Sequence, residues 1–142
     1  MTSFDTAPVQ AVLDNFAAAY SRGDLEGAMS LISSEPEVVL CGTGSDEVCL
    51  GPDQIRTQMA RDLTQADEVR LALGTSRISG RGDVAWAFSE PVVTASVGGQ
   101  QITMPVRMSV VLVKGDGQWL IHSAHLSVAF AAQEEGHSFA NA

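Results

Sequence analysis

Apolar residues recur at helical spacing in the first half of the chain. Residues 6–21 predict an amphipathic helix, because the apolar side chains of this segment fall on one face. A second, short helix is expected after Asp24, whose side chain can cap the first turn. A third helix is expected after Pro52, with an apolar stripe made of Ile55, Met59, Leu63 and Ala66.

Beyond the third helix, the pattern of apolar and polar residues predicts strands separated by glycine turns. Residues 38–41 and 48–50, between the second and third helices, predict a small hairpin. The other expected strands are residues 69–73, 76–79, 84–95, 102–114 and 119–130. Helices segregated from a curved antiparallel sheet indicate an α+β fold. We expect one domain over residues 1–130 and a loose tail over residues 131–142.

The last two predicted strands carry apolar residues on both faces, which indicates burial on both sides of the sheet. One face combines polar side chains, namely Arg107, Ser109, Ser123, His125 and Ser127. The other face of the first of these strands is apolar and consists of Val106, Met108, Val110 and Leu112. We expect the polar face to be concave and to line a pocket, and the apolar face to form a homodimer.

Two pairing registers are compatible with the turn between these strands. A three-residue connection over residues 115–117 pairs Arg107 with His125, whereas a two-residue turn at 116–117 pairs Arg107 with Leu126. We prefer the first, because it gathers the polar side chains on one face. A cavity with a few convergent polar groups is typical of a ligand site.

Composition and charge exclude several classes of protein. The 142 residues are 45% apolar, which suits a single globular domain. A net charge of -9 would repel a phosphate backbone, so a nucleic acid is not an expected partner. No segment resembles a secretory leader or a membrane span, so we expect a cytoplasmic protein with no membrane partner. Neither a metal site nor a cofactor is expected.

Short motifs along the chain carry a further signal. They are Val39-Leu40-Cys41-Gly42-Thr43, Glu47, Gly51-Pro52, Asp83-Val84-Ala85-Trp86, Arg107, Asp116-Gly117-x-Trp119-x-Ile121 and His125-x-Ser127. Their order and spacing resemble the SnoaL-like branch of the nuclear transport factor 2-like superfamily, over roughly residues 6–130. The resemblance implies a cystatin-like α+β barrel, a cone of three helices on a curved sheet, with a cavity between them and usually a homodimer.

Relatives in this superfamily include ketosteroid isomerase, polyketide cyclases, limonene epoxide hydrolase and scaffold-type association domains, so the fold alone selects no reaction. The isomerase and cyclase members use a pocket carboxylate as general base. Residues 38–41 carry no acid, so that carboxylate is not carried over to this chain. The isomerase also uses a tyrosine on its first helix, which makes Tyr20 a candidate oxyanion donor.

Three residues are candidates for catalysis. His125 is either a general base, since its ordinary pKa lies near neutrality, or a buried histidine that fixes the strand register. Arg107 either binds an anionic or carbonyl ligand or forms an ion pair with Glu47 or Glu90. Glu47 is placed near the cavity mouth by the resemblance, which makes it the candidate acid/base partner.

The remaining candidates are expected to line the pocket. Trp86, Phe88 and Glu90 share one strand face, and Ser109, Ser123 and Ser127 add hydroxyl groups. We expect a small hydrophobic or carbonyl-containing ligand between helices and sheet. The alternatives are a non-catalytic homodimerisation module and an isomerase, cyclase or hydrolase of the ketosteroid isomerase-like type.

Overall fold

Three helices and nine strands make up residues 3–140, the part of the chain that the computed structural model describes. The helices are α1 (Ala7–Ser21), α2 (Leu25–Met29) and α3 (Pro52–Gln65). The strands are β1 (Val39–Cys41), β2 (Val48–Leu50), β3 (Glu68–Ala72), β4 (Ser76–Arg81), β5 (Val84–Ser89), β6 (Val92–Val97), β7 (Gln100–Pro105), β8 (Arg107–Gly115) and β9 (Gln118–Ser127). The predicted order of helices, small hairpin and later strands is confirmed.

The strands form two sheets that curve around the helices. Six strands pair in the order β2-β1-β9-β8-β5-β4, and three pair in the order β3-β6-β7. Every pairing is antiparallel except that of β1 with β9. The predicted α+β fold, three helices packed on a curved sheet, is confirmed. Residues 128–140 contain neither helix nor strand. The division into a domain and a tail stays a prediction, and residues 1–2 and 141–142 lie outside the described part.

Two of the predicted long strands are each broken into two, so the prediction that they are continuous was wrong. The segment 84–95 splits into β5 and β6, and the segment 102–114 splits into β7 and β8, so each pair crosses from one sheet to the other. Pro91 stands at the first break and offers no N–H to continue a ladder. The Val106 N–H, at the second break, donates a hydrogen bond to the Pro91 carbonyl over 2.9 Å. This bond links the two strand breaks.

The helices form where the sequence predicts them, and α1 buries Val9, Leu13 and Ala17 against the sheets. Asp24 caps α2, because its Oδ1 accepts a hydrogen bond from the Gly27 N–H over 2.9 Å. Helix α3 buries Gln58 beside the apolar Ile55 and Met59. The predicted apolar stripe did not include Gln58.

The apolar face of β8 points into the core, which corrects the predicted dimer surface. Its four residues, Val106, Met108, Val110 and Leu112, are all buried within this one chain. A face that already packs against its own helices is not available to a second subunit. The alternation of side chains showed which residues share a face, but both faces are apolar enough to be the inner one.

The β8–β9 pairing differs from both predicted registers. Asp116 and Gly117 form a two-residue turn with φ of +52° and +77°, so Gly115 pairs with Gln118. A bulge between Val111 and Leu112 then shifts the ladder by one residue, and Arg107 pairs with Ser127. The turn alone would have moved the polar residues to different faces, and the bulge restores them to one face.

Candidate functional site

A cavity of about 300 Å³ lies between the helices and the inner faces of the two sheets. Its volume is at the lower end of the range of ligand pockets. Most of the wall is apolar, with Phe16 from α1, Met59 from α3 and Met108 from β8 among the lining side chains. Thr43 and Gln65 belong to the same lining and are exposed, so the cavity reaches the surface at this rim.

One end of the cavity is polar and holds two carboxyl groups. We call it the carboxylate cluster, made of Tyr20, Glu47, Gln58 and Asp62. The Tyr20 hydroxyl donates to Asp62 Oδ2 over 3.0 Å. The Gln58 amide nitrogen donates to Asp62 Oδ1 over 2.8 Å and to Glu47 Oε1 over 2.9 Å. Because Gln58 is buried, its amide acts as a fixed link between the two acids.

Burial raises the pKa of Asp62 above its ordinary value of 3.8, and the charge of Glu47 adds to this effect. The hydrogen bonds from Tyr20 and Gln58 oppose the rise without cancelling it. The pKa of Tyr20 is raised well above its usual range by burial and then by the charge of Asp62. Tyr20 therefore stays protonated and acts as a donor, whereas Asp62 is the group of this pair that can exchange a proton.

Glu47 is held from three sides. Its carboxylate accepts hydrogen bonds from the Gly44 N–H, from Gln58 and from Arg61, the last over 3.4 Å. Arg61 also pairs with the exposed Asp46 over 2.9 Å. Arg61 is thus shared between Asp46, which lies outside the cavity lining, and Glu47, which is part of it.

Two of the sequence-predicted site residues, Tyr20 and Glu47, line the cavity. Seven others lie on the opposite side of the six-stranded sheet, which we call the outer face: Trp86, Phe88, Arg107, Ser109, Ser123, His125 and Ser127. The prediction that these seven line the pocket was wrong, because the helices cover the other face. Glu90 is exposed at the break between β5 and β6 and is not part of the cavity lining.

The predicted ion pair of Arg107 with Glu47 or Glu90 is not formed. The Arg107 guanidinium donates to Ser127 Oγ and to the Val128 carbonyl, each over 3.2 Å. An exposed guanidinium is solvated and needs no counter-charge, so the physical reason for the pair disappears. His125 is likewise exposed, cross-strand from Ser109.

Sequence reasoning missed Asp62 and Gln58, although a signal for them existed. Ile55, Gln58, Met59 and Asp62 follow the spacing i, i+3, i+4, i+7, which places all four on one face of a helix. The apolar stripe was instead drawn through Leu63, which is only half-buried. A carboxylate on the buried side of an amphipathic helix is the kind of exception that marks a site.

The outer face is strongly apolar around its polar residues. Trp86 is 45% and Phe88 41% exposed, and Trp86 pairs with the exposed Val111 of β8. The pairing of β1 and β2 extends this surface, since Val48 and Leu50 are also exposed. Exposed apolar side chains grouped on one face of a sheet are typical of a protein–protein contact surface.

A sequence profile of the SnoaL-like domain matches residues 9–131. The chain belongs to the SnoaL-like domain family. Among curated proteins, none matches the sequence. In the described part of this SnoaL-like protein, no helix is long and apolar enough to cross a membrane. Among residues 3–140, no group of three or more His, Cys, Asp or Glu side chains is arranged to hold a metal ion.

Solved structures share the fold of this SnoaL-like protein over most of its length. A nuclear transport factor 2-like superfamily protein from Salmonella enterica has a TM-score of 0.81 at 20% identity, covering 93% of this chain and 96% of its own. A proposed dehydratase of the NTF2-like family from Streptomyces avermitilis has a TM-score of 0.80 at 19% identity, covering 89% of this chain and 98% of its own. A proposed calcium/calmodulin-dependent protein kinase II association domain from Xanthomonas campestris has a TM-score of 0.78 at 25% identity, covering 90% of each chain.

Proposed function

We propose that this SnoaL-like protein binds a small, largely apolar molecule in its cavity and transfers a proton at that molecule through Asp62. The observation that carries the proposal is a half-buried carboxyl group that faces an apolar cavity and has a raised pKa. Burial strengthens such a carboxylate as a base, because the charged form loses its hydration. Perturbed carboxyl groups in clefts are frequent at catalytic sites.

The cluster gives each residue a distinct part in this chemistry. Asp62 takes up or returns the proton, while the hydrogen bonds from Tyr20 and Gln58 hold its carboxylate in one orientation. Gln58 also fixes the distance to Glu47, whose charge raises the pKa of Asp62. Isomerisation and loss of water both begin with removal of a proton by a base. The S. avermitilis relative is described as a proposed dehydratase, which agrees with this reaction type.

A base probe tests the proposal without knowledge of the natural substrate. The probe is 5-nitrobenzisoxazole, in which transfer of the ring C–H proton to a base breaks the N–O bond and releases a coloured phenolate. We expect Asp62→Asn to lower the rate about 100-fold, which is the lower range for loss of a general base. The wild-type rate should rise with pH and level off above a pKa higher than that of an ordinary aspartate.

The matched control is Asp67→Asn, which removes an exposed acid just beyond α3 that is not part of the cavity lining. This variant should keep the wild-type rate and pH profile. Equal rates for wild-type protein and Asp62→Asn would contradict the proposal. Melting curves of both variants show that a lost rate does not reflect an unfolded protein.

A second role is supported by the apolar outer face, which we propose as a homodimer surface in place of the buried face of β8. The X. campestris relative, described as a proposed association domain, has the same fold. We expect the wild-type protein to have twice the mass of one chain by light scattering, and Trp86→Lys to be a monomer, because a lysine cannot be desolvated there without a partner.

Ile102→Lys is the control for the dimer, since Ile102 is 50% exposed but lies on β7 in the other sheet. It should leave the mass unchanged. A wild-type protein that is a monomer at micromolar concentration by light scattering would contradict the proposed dimer. The cytoplasmic location stays a prediction.

A further inference from the structure

We infer that the cavity selects apolar molecules that present a hydrogen-bond donor and no negative charge, an alcohol or an amine, over carboxylic acids and ketones. The inference rests on the proposed function, because it assumes that the cavity is the binding site. It specifies which chemical group of the ligand meets the carboxylate cluster. It departs from the carbonyl-containing ligand expected from sequence.

The charge of the lining opposes an anionic ligand. Among the described residues that line the cavity, two are acids, Glu47 and Asp62, and none is a lysine, arginine or histidine. Arg61, the cation beside Glu47, is occupied by Glu47 and Asp46 and is not part of the lining. A ligand carboxylate would therefore meet two like charges in an apolar surrounding, where water screens them poorly.

The hydrogen bonds of the cluster leave no free donor for a ligand carbonyl at the polar end of the cavity, since Thr43 and Gln65, which also line the cavity and carry donors, are exposed at its rim. Tyr20 has a single hydroxyl hydrogen, which it donates to Asp62. Gln58 has two amide hydrogens, which it donates to Glu47 and Asp62. A ketone could gain a hydrogen bond from these residues only by taking a donor away from a carboxylate, and that exchange leaves a buried charge less satisfied.

The same cluster has acceptors to spare. Each carboxylate oxygen offers about two lone pairs, and each oxygen of Asp62 receives one hydrogen bond in the structure. A hydroxyl or ammonium group of a ligand can use the remaining lone pairs without breaking the existing bonds. An ammonium would also offset the repulsion between Asp62 and Glu47, which adds to the rise in the pKa of Asp62 that burial causes.

The apolar wall places weaker limits on the ligand than the polar end does. Met59, Met104 and Met108 all line the cavity. Methionine side chains are flexible and polarizable, so such a wall adapts to different skeletons. Discrimination between ligands of similar size should therefore come from the group that contacts the carboxylate cluster.

Four naphthalene derivatives with one skeleton test this inference. They are 2-naphthylmethanol, 2-naphthylmethylamine, 2-acetylnaphthalene and 2-naphthoic acid, titrated into the wild-type protein at pH 7.5 by calorimetry. We expect the alcohol and the amine to bind at least about tenfold more tightly than the ketone and the acid, a difference of about 1.4 kcal/mol. Tighter binding of the amine than of the alcohol would identify the charge as the recognised feature, and equal binding would identify the donor.

Failure of the inference and failure of the proposed function give different results. If none of the four compounds binds, the cavity is not a site for small apolar molecules, and the proposed function fails. If the acid or the ketone binds as tightly as the alcohol and the amine, the cavity is a site but the inferred selectivity is wrong.

Charge-removing variants locate the selectivity. Asp62→Asn and Glu47→Gln should each strengthen binding of 2-naphthoic acid and weaken binding of 2-naphthylmethylamine by about threefold or more, since each removes one of the two facing charges. Asp67→Asn, which removes an acid outside the cavity lining, should leave all four affinities unchanged. An unchanged ratio of amine to acid affinity in folded Asp62→Asn and Glu47→Gln proteins would overturn the inference.

Discussion

The two faces of the β8–β9 strand pair carry different kinds of residue and serve opposite parts of the molecule. The inner face contributes Met108, Val110 and Ala124, which are buried and line the cavity. The outer face carries Ser109 and His125, which are cross-strand neighbours and exposed. Arg107 and His125 of this strand pair thus face outward, while the ionisable side chains in the cavity come from α1, α3 and the β1–β2 loop.

This difference shows that a polar residue within an apolar strand is not evidence for a pocket by itself. The inner face needs apolar side chains because it packs against α1 and α3, and the helices supply the chemistry from across the cavity. The outer face tolerates arginine and histidine because Arg107 and His125 are exposed to solvent within residues 3–140.

The largest expected effect is the difference in stability between the same substitution at two adjacent residues, one on each face. Leu112 is fully buried, whereas its neighbour Val111 is 39% exposed. Leu112→Asp buries an unpaired carboxylate and should lower the free energy of unfolding by about 4 kcal/mol or more. Val111→Asp should leave the stability of a single chain within about 1 kcal/mol, because the new charge is solvated. Urea unfolding followed by circular dichroism measures both.

Dissociation of a dimer would also lower the apparent stability of Val111→Asp, so the comparison is made at several protein concentrations. The loss in Leu112→Asp should not depend on concentration. If Val111→Asp, shown to be a monomer, is destabilised as much as Leu112→Asp, the assignment of inner and outer faces is wrong.

Helices and strands could be predicted because they depend on local patterns. The Asp24 cap and the apolar repeat of α1 act within a few residues along the chain, and both are observed. The breaks at Pro91 and Val106 were missed, since a strand that crosses between sheets keeps the same alternation on both sides of its corner.

The candidate site could be predicted only in part. Tyr20 and Glu47 were predicted from the resemblance to the SnoaL-like branch, and both line the cavity. Asp62 was missed because an acid in an amphipathic helix is usually solvent-facing, and its buried side depends on helix phase. His125 was placed inside because register alone cannot tell which face of a double-sided apolar strand the helices cover.

Two aspartates extend the comparison of interior and exterior to pH. Burial raises the pKa of Asp62 inside the cavity. At the surface, the Gly27 N–H and then Arg22 lower the pKa of Asp24, which caps α2. A raised pKa in the folded state means that folding takes up protons, and a lowered pKa means that folding releases them. The two groups should therefore change the stability of the protein with pH in opposite directions.

The smallest expected effect is this difference in pH dependence. Ionised Asp62 disfavours folding, so its contribution to stability is best below pH 3.8 and declines as the pH rises through its raised pKa. Relative to wild-type protein, Asp62→Asn should therefore gain stability between pH 4 and pH 7. Asp24→Asn should lose stability over the rise from pH 2 to pH 4, because the stabilising charged cap is absent. Urea unfolding at each pH gives both curves, and parallel curves for wild type and Asp62→Asn would show that Asp62 is not desolvated by the cavity.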